Sequence, residues 1–143
     1  VAIKESSDDP RRITDLHNVV GDRYTLFCGV DDLVLESVAL GIEGWVSGLT
    51  DVFPEESIAL WNAALAGRFD EARAIYRWFT PTLHLDTHMK LVQYIKIGQT
   101  VTGLGTEWVR APRLPLEGEE RKRILGLYET AVANRPKLKK AAE

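Results

Sequence analysis

Cysteine is almost absent from this sequence. Cys28 is the single cysteine among 143 residues. One thiol excludes an internal disulfide framework and a multi-cysteine zinc site, and it is typical of a protein from a reducing compartment, so we expect a cytoplasmic location. Long hydrophobic runs are also lacking: none approaches the roughly 18 residues that a membrane span needs, and no signal-peptide pattern opens the chain.

The sequence has no excess of basic residues and no initiating methionine. Because 18 Lys and Arg stand against 21 Asp and Glu, charge does not favour nucleic acid or an acidic membrane as a partner. A hydrophobic fraction of 45% and a charged fraction of 27% exclude a disordered chain, and the length suits one domain. The chain begins at Val1, directly with a strand pattern. We therefore expect it to be part of a longer protein.

Strands alternate with helices in the first half of the chain. Glycine, proline and aspartate mark the turns between short apolar runs and segments of helical spacing. The predicted strands are 1–3, 24–28 and 44–47, and the predicted helices are 10–20, 33–40 and 54–66. This order predicts parallel strands with right-handed crossovers, and therefore a parallel sheet covered on one face by helices.

The second half shows only helical patterns. Three helices are predicted, at 70–79 with Pro81 ending the helix, at 87–102, and at 118–134. Two prolines predict an extended path for 110–116, and the basic tail 137–143 is expected to fray.

The carboxyl ends of the three strands are the predicted ligand-binding edge, as in other parallel α/β folds. Lys4 directly follows an apolar strand. If its surroundings are dry, the neutral amine is favoured, and such an amine is a nucleophile that forms a Schiff base with a keto acid. The alternative is a lysine that extends from the strand end into solvent.

The other two strand ends carry glycine, serine and aspartate. Gly29 and the pair Ser47–Gly48 would let a ligand approach the backbone, or they serve only the turn into the next helix. Asp31 and Asp32 could bind a cation or act as a base, while helix capping is the alternative that we favour for at least one of them.

Other chemically capable residues have simpler interpretations. His84 and His88 have metal-ligand spacing, but Asp86 between them predicts a capped helix start, which would separate them, so no metal site is expected. Cys28 lies in a predicted strand and is expected to be a small core residue. The four tryptophans are expected in the core or at interfaces; Trp78 and Trp108 are expected to be exposed.

Five segments together carry a resemblance to a known family. They are 1–8 (VAIKESSD), 29–32 (GVDD), 41–48 (GIEGWVSG), 64–73 (ALAGRFDEAR) and 113–116 (RLPL). In this order they resemble the dihydrodipicolinate synthase / N-acetylneuraminate lyase superfamily. The resemblance implies an α/β fold: strands 6–8 of a (β/α)8 TIM barrel in residues 1–67, followed by a three-helix extension in 68–143.

The resemblance also implies roles for four residues. Lys4 would be the Schiff-base lysine, and the backbone carbonyl of Val46 would lie near it and the substrate. Ser47 would follow in the pocket, and Gly29 would line its floor. The family's proton-relay tyrosine lies on an earlier strand that is absent here, so the chain alone is expected to be catalytically incomplete.

Two segments resemble one branch of the superfamily, the 1-pyrroline-4-hydroxy-2-carboxylate deaminases of hydroxyproline breakdown. Where synthases usually carry an Asn-Pro segment, this chain has 84–96 (HLDTHMKLVQYIK), and 108–113 (WVRAPR) also fits the branch. The implied reaction converts a cyclic imine to 2,5-dioxopentanoate and ammonia, and needs neither a metal nor another cofactor.

Two other functions remain as alternatives. One is a dihydrodipicolinate synthase or another 2-oxo-acid aldolase, lyase or dehydratase of the superfamily, and the other is a non-catalytic α/β module. The expected partners are a 2-oxo acid or cyclic imine substrate and further copies of the protein in a homotetramer or homodimer. Neither nucleic acid nor a membrane is expected as a partner.

Overall fold

Three parallel strands and six helices follow one another in a computed structural model that describes residues 1–138. The strands are β1 (Ala2–Glu5), β2 (Thr25–Cys28) and β3 (Gly44–Trp45), and the helices are α1 (Arg11–Val20), α2 (Val34–Ala39), α3 (Pro54–Leu65), α4 (Phe69–Leu83), α5 (Leu91–Thr102) and α6 (Gly118–Ala133). Short 3₁₀ turns occupy Gly21–Arg23, Asp31–Leu33 and Leu49–Asp51. The last part of the predicted basic tail, 139–143, lies outside the described residues.

The sheet has the predicted parallel topology. Its strand order is β1-β2-β3, with Lys4 opposite Phe27 and Phe27 opposite Gly44. The three carboxyl ends therefore lie at one edge of the sheet, as the strand–helix alternation predicts. β1 extends through Lys4 and Glu5 rather than stopping at Ile3, and β3 is shorter than expected.

Helices cover one face of this sheet. Leu26 and Cys28 are buried on that face, with Ile3 packed beside them. Side chains alternate along a strand, so Lys4 and Phe27 lie on the opposite face. Lys4 is exposed there and Phe27 is half-buried among the described residues. The prediction of a sheet covered on one face is confirmed.

One core joins the sheet to all the helices. Phe53, just before α3, packs edge-on against Trp78 and Phe79 of α4, with ring centroids 5.0 and 5.6 Å apart. Trp78 is half-buried and donates a hydrogen bond to the carbonyl of Ala131, so its expected exposure is wrong. The division at residues 67 and 68 stays a prediction, since α3 and α4 pack together across it.

Two helix boundaries differ from their predictions. Pro81 lies inside α4 instead of ending it, and the helix continues to Leu83. Burial of Thr82 and Leu83 against the core outweighs the one backbone hydrogen bond that a proline removes. α5 begins at Leu91 rather than at 87, after a run of turns over 84–90.

Among residues 1–138, no helix is long and apolar enough to cross a membrane.

Candidate active site at the carboxyl edge of the sheet

Lys4 and Gly29 are in direct contact at the carboxyl edge of the sheet. A Cβ atom added to Gly29 would lie 2.7 Å from the Cγ of Lys4, 2.8 Å from the carbonyl oxygen of Glu5 and 2.0 Å from the Oγ of Ser6. No positive φ is required at Gly29. The glycine therefore makes room for the lysine stem, and the interpretation that it serves only the turn is wrong.

Backbone hydrogen bonds extend the pairing of β1 and β2 past their last ladder residues. The Gly29 N–H donates to the Glu5 carbonyl at 2.7 Å, and the Ser6 hydroxyl donates to the Gly29 carbonyl at 3.2 Å. These bonds hold in place the chain that directly follows Lys4. Among residues 1–138 the Lys4 side chain lies exposed on the open face, as in the alternative of a lysine that extends into solvent, and these residues do not supply the dry surroundings that would favour a neutral amine.

Val46 and Ser47 leave β3 at the same edge. The Val46 N–H donates to the Cys28 carbonyl at 2.9 Å, which places Val46 opposite Gly29 in the extended register. By alternation its side chain shares the open face with Lys4, and it is 48% exposed. The Ser47 hydroxyl oxygen accepts a hydrogen bond from the Thr50 N–H at 3.1 Å. The structure thus brings Lys4, Gly29, Val46 and Ser47 to one edge, and their catalytic roles stay predictions.

Asp31 and Asp32 have partners other than the start of α2. The N-cap residue of α2 makes no side-chain capping bond. Asp32 pairs with the Nδ1 atom of His84 at 2.6 Å. Asp31 is 1% exposed and its carboxylate accepts bonds from the turn after β3. The prediction that one of them caps the helix is wrong, because the better donors come from segments distant in sequence.

Burial is the main cause of an unusual carboxyl group at Asp31. Burial first, and the Asp86 charge with it, raise the pKa of Asp31 from 3.8 to about 6. A hydrogen bond from the Leu49 N–H acts in the opposite direction, because it favours the ionised form. A group with such a pKa changes charge in mildly acidic solution.

Asp86 also lies at this edge instead of capping α5. Its Oδ2 atom accepts a hydrogen bond from the Asp31 N–H at 2.8 Å. Burial raises the pKa of Asp86, while the positive charge of Lys4 lowers it. The Lys4 charge thus acts on the Asp86 carboxyl although the two residues are far apart in sequence.

The two histidines face different partners. His84 pairs with Asp32, whereas His88 lies 3.3 Å from the hydroxyl of Tyr94 through its Nε2 atom. Within residues 1–138 no group of three or more His, Cys, Asp and Glu side chains could hold a metal ion. Cys28 is buried, as expected of a core residue, and burial raises the pKa of its thiol.

Two hollows among residues 1–138 are lined by residues other than Lys4. One, of about 810 Å³, lies between α3, α4 and residues 136–138. The other, of about 510 Å³, lies beside β3 and is lined by Phe27, Trp45 and Trp61. Residues 1–138 thus present the lysine on an open surface and do not enclose it.

A parallel strand–helix order, with a lysine on the open face of the sheet, is the arrangement expected for part of an α/β barrel enzyme. The dihydrodipicolinate synthetase family model matches residues 1–130. The chain belongs to this family.

Two curated relatives illustrate the similarity. The chain is 33% identical over 124 residues to a 4-hydroxy-tetrahydrodipicolinate synthase of Chlorobium limicola, covering 87% of the chain and 42% of the relative. It is 35% identical over 115 residues to the synthase of the same name from an Exiguobacterium species, covering 80% and 38%. The chain therefore spans less than half the length of these relatives.

Solved structures show the same fold. The dihydrodipicolinate synthase of Aquifex aeolicus matches with a TM-score of 0.83 at 27% identity, over 97% of this chain and 46% of that one. The enzyme of Oceanobacillus iheyensis matches with a TM-score of 0.82 at 25% identity, over 93% and 46%. The chain thus has the α/β fold of part of the dihydrodipicolinate synthase barrel.

Proposed function

We propose that the natural protein containing this chain is a lyase whose nucleophile is Lys4. The observation that carries the proposal is the position of Lys4 on the uncovered face of the sheet, at its carboxyl edge and against Gly29. Family membership supports it. A primary amine in this position would attack the carbonyl carbon of a 2-oxo acid, or the imine carbon of a cyclic imine, and form a Schiff base.

The neighbouring residues would line the substrate pocket. We propose that the Val46 carbonyl and Ser47 contact the substrate and that Gly29 forms the floor beside the lysine stem. Residues 1–67 would be the last three βα units of a (β/α)8 TIM barrel, and 68–143 its helical extension. The remaining units, with the proton-relay tyrosine, would come from the rest of the protein.

Deamination of 1-pyrroline-4-hydroxy-2-carboxylate is the reaction that we propose first. The Lys4 amine adds to the imine carbon, and the ring nitrogen leaves that carbon as an amine. The protonated Schiff base then acts as an electron sink: C3 loses a proton and the 4-hydroxyl leaves as water, which forms a C3=C4 double bond. Two protons then move from C5 and its nitrogen to C3 and C4, which converts the terminal amine to an imine. Hydrolysis of the lysine adduct and of the resulting terminal imine consumes two waters and yields 2,5-dioxopentanoate and ammonia.

The 84–96 segment supports this branch, together with 108–113. It replaces the Asn-Pro segment usual in synthases, and the positive charge of Lys4 lowers the pKa of its Asp86 carboxyl. A carboxyl group near the adduct could exchange protons with it during the elimination.

A 4-hydroxy-tetrahydrodipicolinate synthase is the second candidate, because that is the name of the curated relatives. Ammonia release from the hydroxylated pyrroline carboxylate would identify the deaminase. Pyruvate-dependent condensation without ammonia release would identify a synthase. Both reactions would use the same lysine, so the two candidates differ only in substrate and in the later steps.

Borohydride trapping tests the lysine itself. The full-length protein is incubated with a 2-oxo acid or the cyclic imine and reduced, and mass spectrometry should then find a stable adduct on Lys4. Lys4→Ala should abolish the adduct, while Lys122→Ala, at an exposed lysine of α6, should keep it. An adduct that survives Lys4→Ala, or none on the wild type, would overturn the proposal and favour a non-catalytic module.

We also propose that the protein acts as a homodimer or homotetramer in the cytoplasm. Trp108 supports self-association, because its side chain is 74% exposed in a segment that is neither helix nor strand. Aromatic side chains are enriched at the centres of protein interfaces.

A further inference from the structure

The chain that leaves β3 has little support from the sheet. The ladder between β2 and β3 ends at the bond from the Val46 N–H to the Cys28 carbonyl. β3 itself comprises only Gly44–Trp45. Ser47 and the peptide that carries the Val46 carbonyl therefore lie beyond the last sheet hydrogen bond, and another group must hold them in place.

The carboxylate of Asp31 is that group. Its Oδ2 atom accepts hydrogen bonds from the N–H groups of Gly48, at 3.1 Å, and Leu49, at 2.8 Å. Its Oδ1 atom accepts from the indole Nε1 of Trp45 at 3.1 Å. Both carboxylate oxygens thus accept hydrogen bonds. One donor, Trp45, precedes Val46 in the chain, and the other two follow Ser47.

The main chain of Asp31 is tied to a different part of the molecule. Its N–H donates to the Oδ2 atom of Asp86, in the turns that precede α5. Asp31 follows Gly29 by two residues, and Gly29 contacts Lys4. One residue thus joins the end of β2, the turn after β3 and the 84–90 segment.

We propose that Asp31 is a positioning residue for the substrate pocket. Its carboxylate sets where the Val46 carbonyl and Ser47 lie relative to Lys4, and Asp86 holds Asp31 from the helical side. The inference rests on the proposed function, since it assigns a role within the same site. Asp31 itself would not touch the substrate, because its side chain is buried beneath the turn.

Asp31→Asn is the most direct variant. An asparagine of the same shape keeps one acceptor oxygen but turns an NH₂ group towards a donor, so at least one of the three hydrogen bonds is lost. Hydrogen bonds to an ionised acceptor are stronger than neutral ones, so the turn after β3 should move or become mobile. The Lys4 amine is unchanged by this substitution.

The experiment measures borohydride trapping on the full-length protein as a function of 2-oxo acid concentration. For Asp31→Asn we expect the half-saturating concentration to rise about tenfold, as for a lost charged hydrogen bond, with an unchanged adduct yield at saturation. Asp32→Asn is the matched control, because Asp32 contacts His84 rather than the turn, and its half-saturating concentration should equal that of the wild type.

The outcomes separate this inference from the proposed function. No adduct on wild-type Lys4 overturns the proposed function. A normal wild-type adduct with an unchanged half-saturating concentration in Asp31→Asn overturns the positioning role alone. The third outcome is a lower adduct yield at saturation with an unchanged half-saturating concentration. The lower yield would reflect the fraction of unfolded molecules, so Asp31 would have a merely structural role and the inference would be overturned.

A second variant keeps the test decisive if Asp31→Asn does not fold. Asp86→Ala removes the acceptor of the Asp31 N–H but leaves the carboxylate and its three donors in place. We expect a smaller rise in the half-saturating concentration, about threefold, at full yield. An unchanged half-saturating concentration in this variant would count against the proposed link from the helical side.

Discussion

A missing side chain is the most consequential feature at the scale of single residues. Gly29 lies where β1 and β2 end, and any Cβ there would overlap the Lys4 stem, the Ser6 hydroxyl and the Glu5 backbone. The lysine side chain can shift, but the Glu5 carbonyl is hydrogen-bonded in the sheet, and moving it would break that pairing. Space at this position is therefore a requirement both for packing and for the direction of the lysine.

Gly29→Ala should lower the free energy of unfolding by about 2 kcal/mol, the usual cost of overpacking, and should also reduce adduct formation on Lys4. The change is measured by chemical unfolding of the full-length protein together with borohydride trapping. Gly126→Ala is the matched control in α6, where a Cβ would meet nothing within 4 Å. It should raise stability by about 0.5–1 kcal/mol through helix propensity. Equal stability of Gly29→Ala and wild type would contradict the close-approach argument.

The raised pKa of Asp31 predicts a pH-dependent contribution to stability. The folded state holds the proton up to about pH 6, whereas the unfolded chain releases it near the ordinary value of 3.8. Between these values the folded state binds more protons, so this contribution is present at low pH and is lost as the pH rises through about 6.

Wild type should therefore gain stability relative to Asp31→Asn as the pH falls from 7 to 4.5, by about 2 kcal/mol. Urea unfolding of both proteins across this range measures the difference. Stabilities that run parallel over the whole range would show that the Asp31 carboxyl titrates alike in the folded and unfolded states.

At the scale of elements, an ion pair joins α3 to the segment after α6. Arg135 contacts Glu56 with two hydrogen bonds, one of 3.0 Å from its Nη2 atom to Oε2 and a second from its Nε atom to Oε1. The Glu56 side chain is 2% exposed and that of Arg135 is 40% exposed. Removal of the arginine would leave a buried carboxylate without its cation.

Arg135→Ala should lower the free energy of unfolding by about 2 kcal/mol. This loss is smaller than that for a fully buried ion pair, because the arginine is partly exposed to water. Arg121→Ala is the comparison, since the arginine of the Arg121–Glu107 pair is about as exposed as Arg135 but the carboxylate is 29% exposed instead of 2%. Its effect should stay under about 1 kcal/mol. Thermal unfolding of the two variants provides the test, and equal losses would argue against the importance of burial.

Helices α5 and α6 approach closely at a second glycine. A Cβ on Gly98 would lie 2.7 Å from the Tyr128 ring and 2.8 Å from the Cγ2 atom of Val52. Gly98→Ala should therefore lower the unfolding free energy by about 1–3 kcal/mol, although alanine is the better helix former. A stability gain like that expected for Gly126→Ala would show that the two helices can separate without cost.

At the scale of the whole molecule, the sheet has two unpaired edges within residues 1–138. β1 and β3 each pair on one side only. Exposed edges of this kind favour association with other strands. Lys4 is also open to solvent among these residues.

We expect the 143-residue chain expressed by itself to associate and to yield no borohydride adduct on Lys4. Co-expression with the rest of the natural protein should restore the adduct, because both sheet edges would then be paired. Size-exclusion chromatography and adduct mass spectrometry are the measurements. An adduct on the isolated chain at the wild-type yield would contradict the expected incompleteness.

Local patterns were sufficient for most of the secondary structure. α3 and α6 lie within a residue of their predicted limits, because proline, glycine and helical spacing act on neighbouring residues. The predicted end of α4 before Pro81 is wrong. Core contacts compensate for the local cost of the proline, and the spacing of residues in the sequence does not reveal those contacts. The capping predictions for Asp31 and Asp86 failed for a related reason: both are acceptors for distant N–H groups.

The sequence alone determined the order of strands and helices, their parallel pairing and the position of Lys4 at a strand end, because alternation and turn residues act over a few neighbours. Tertiary structure decided which sheet face stays open, why Gly29 must lack a side chain and what Asp31 holds. Those contacts join residues 14 to 55 positions apart, as between Asp31 and Trp45 or Asp86. Spacing along a chain carries no information about groups that only folding brings together.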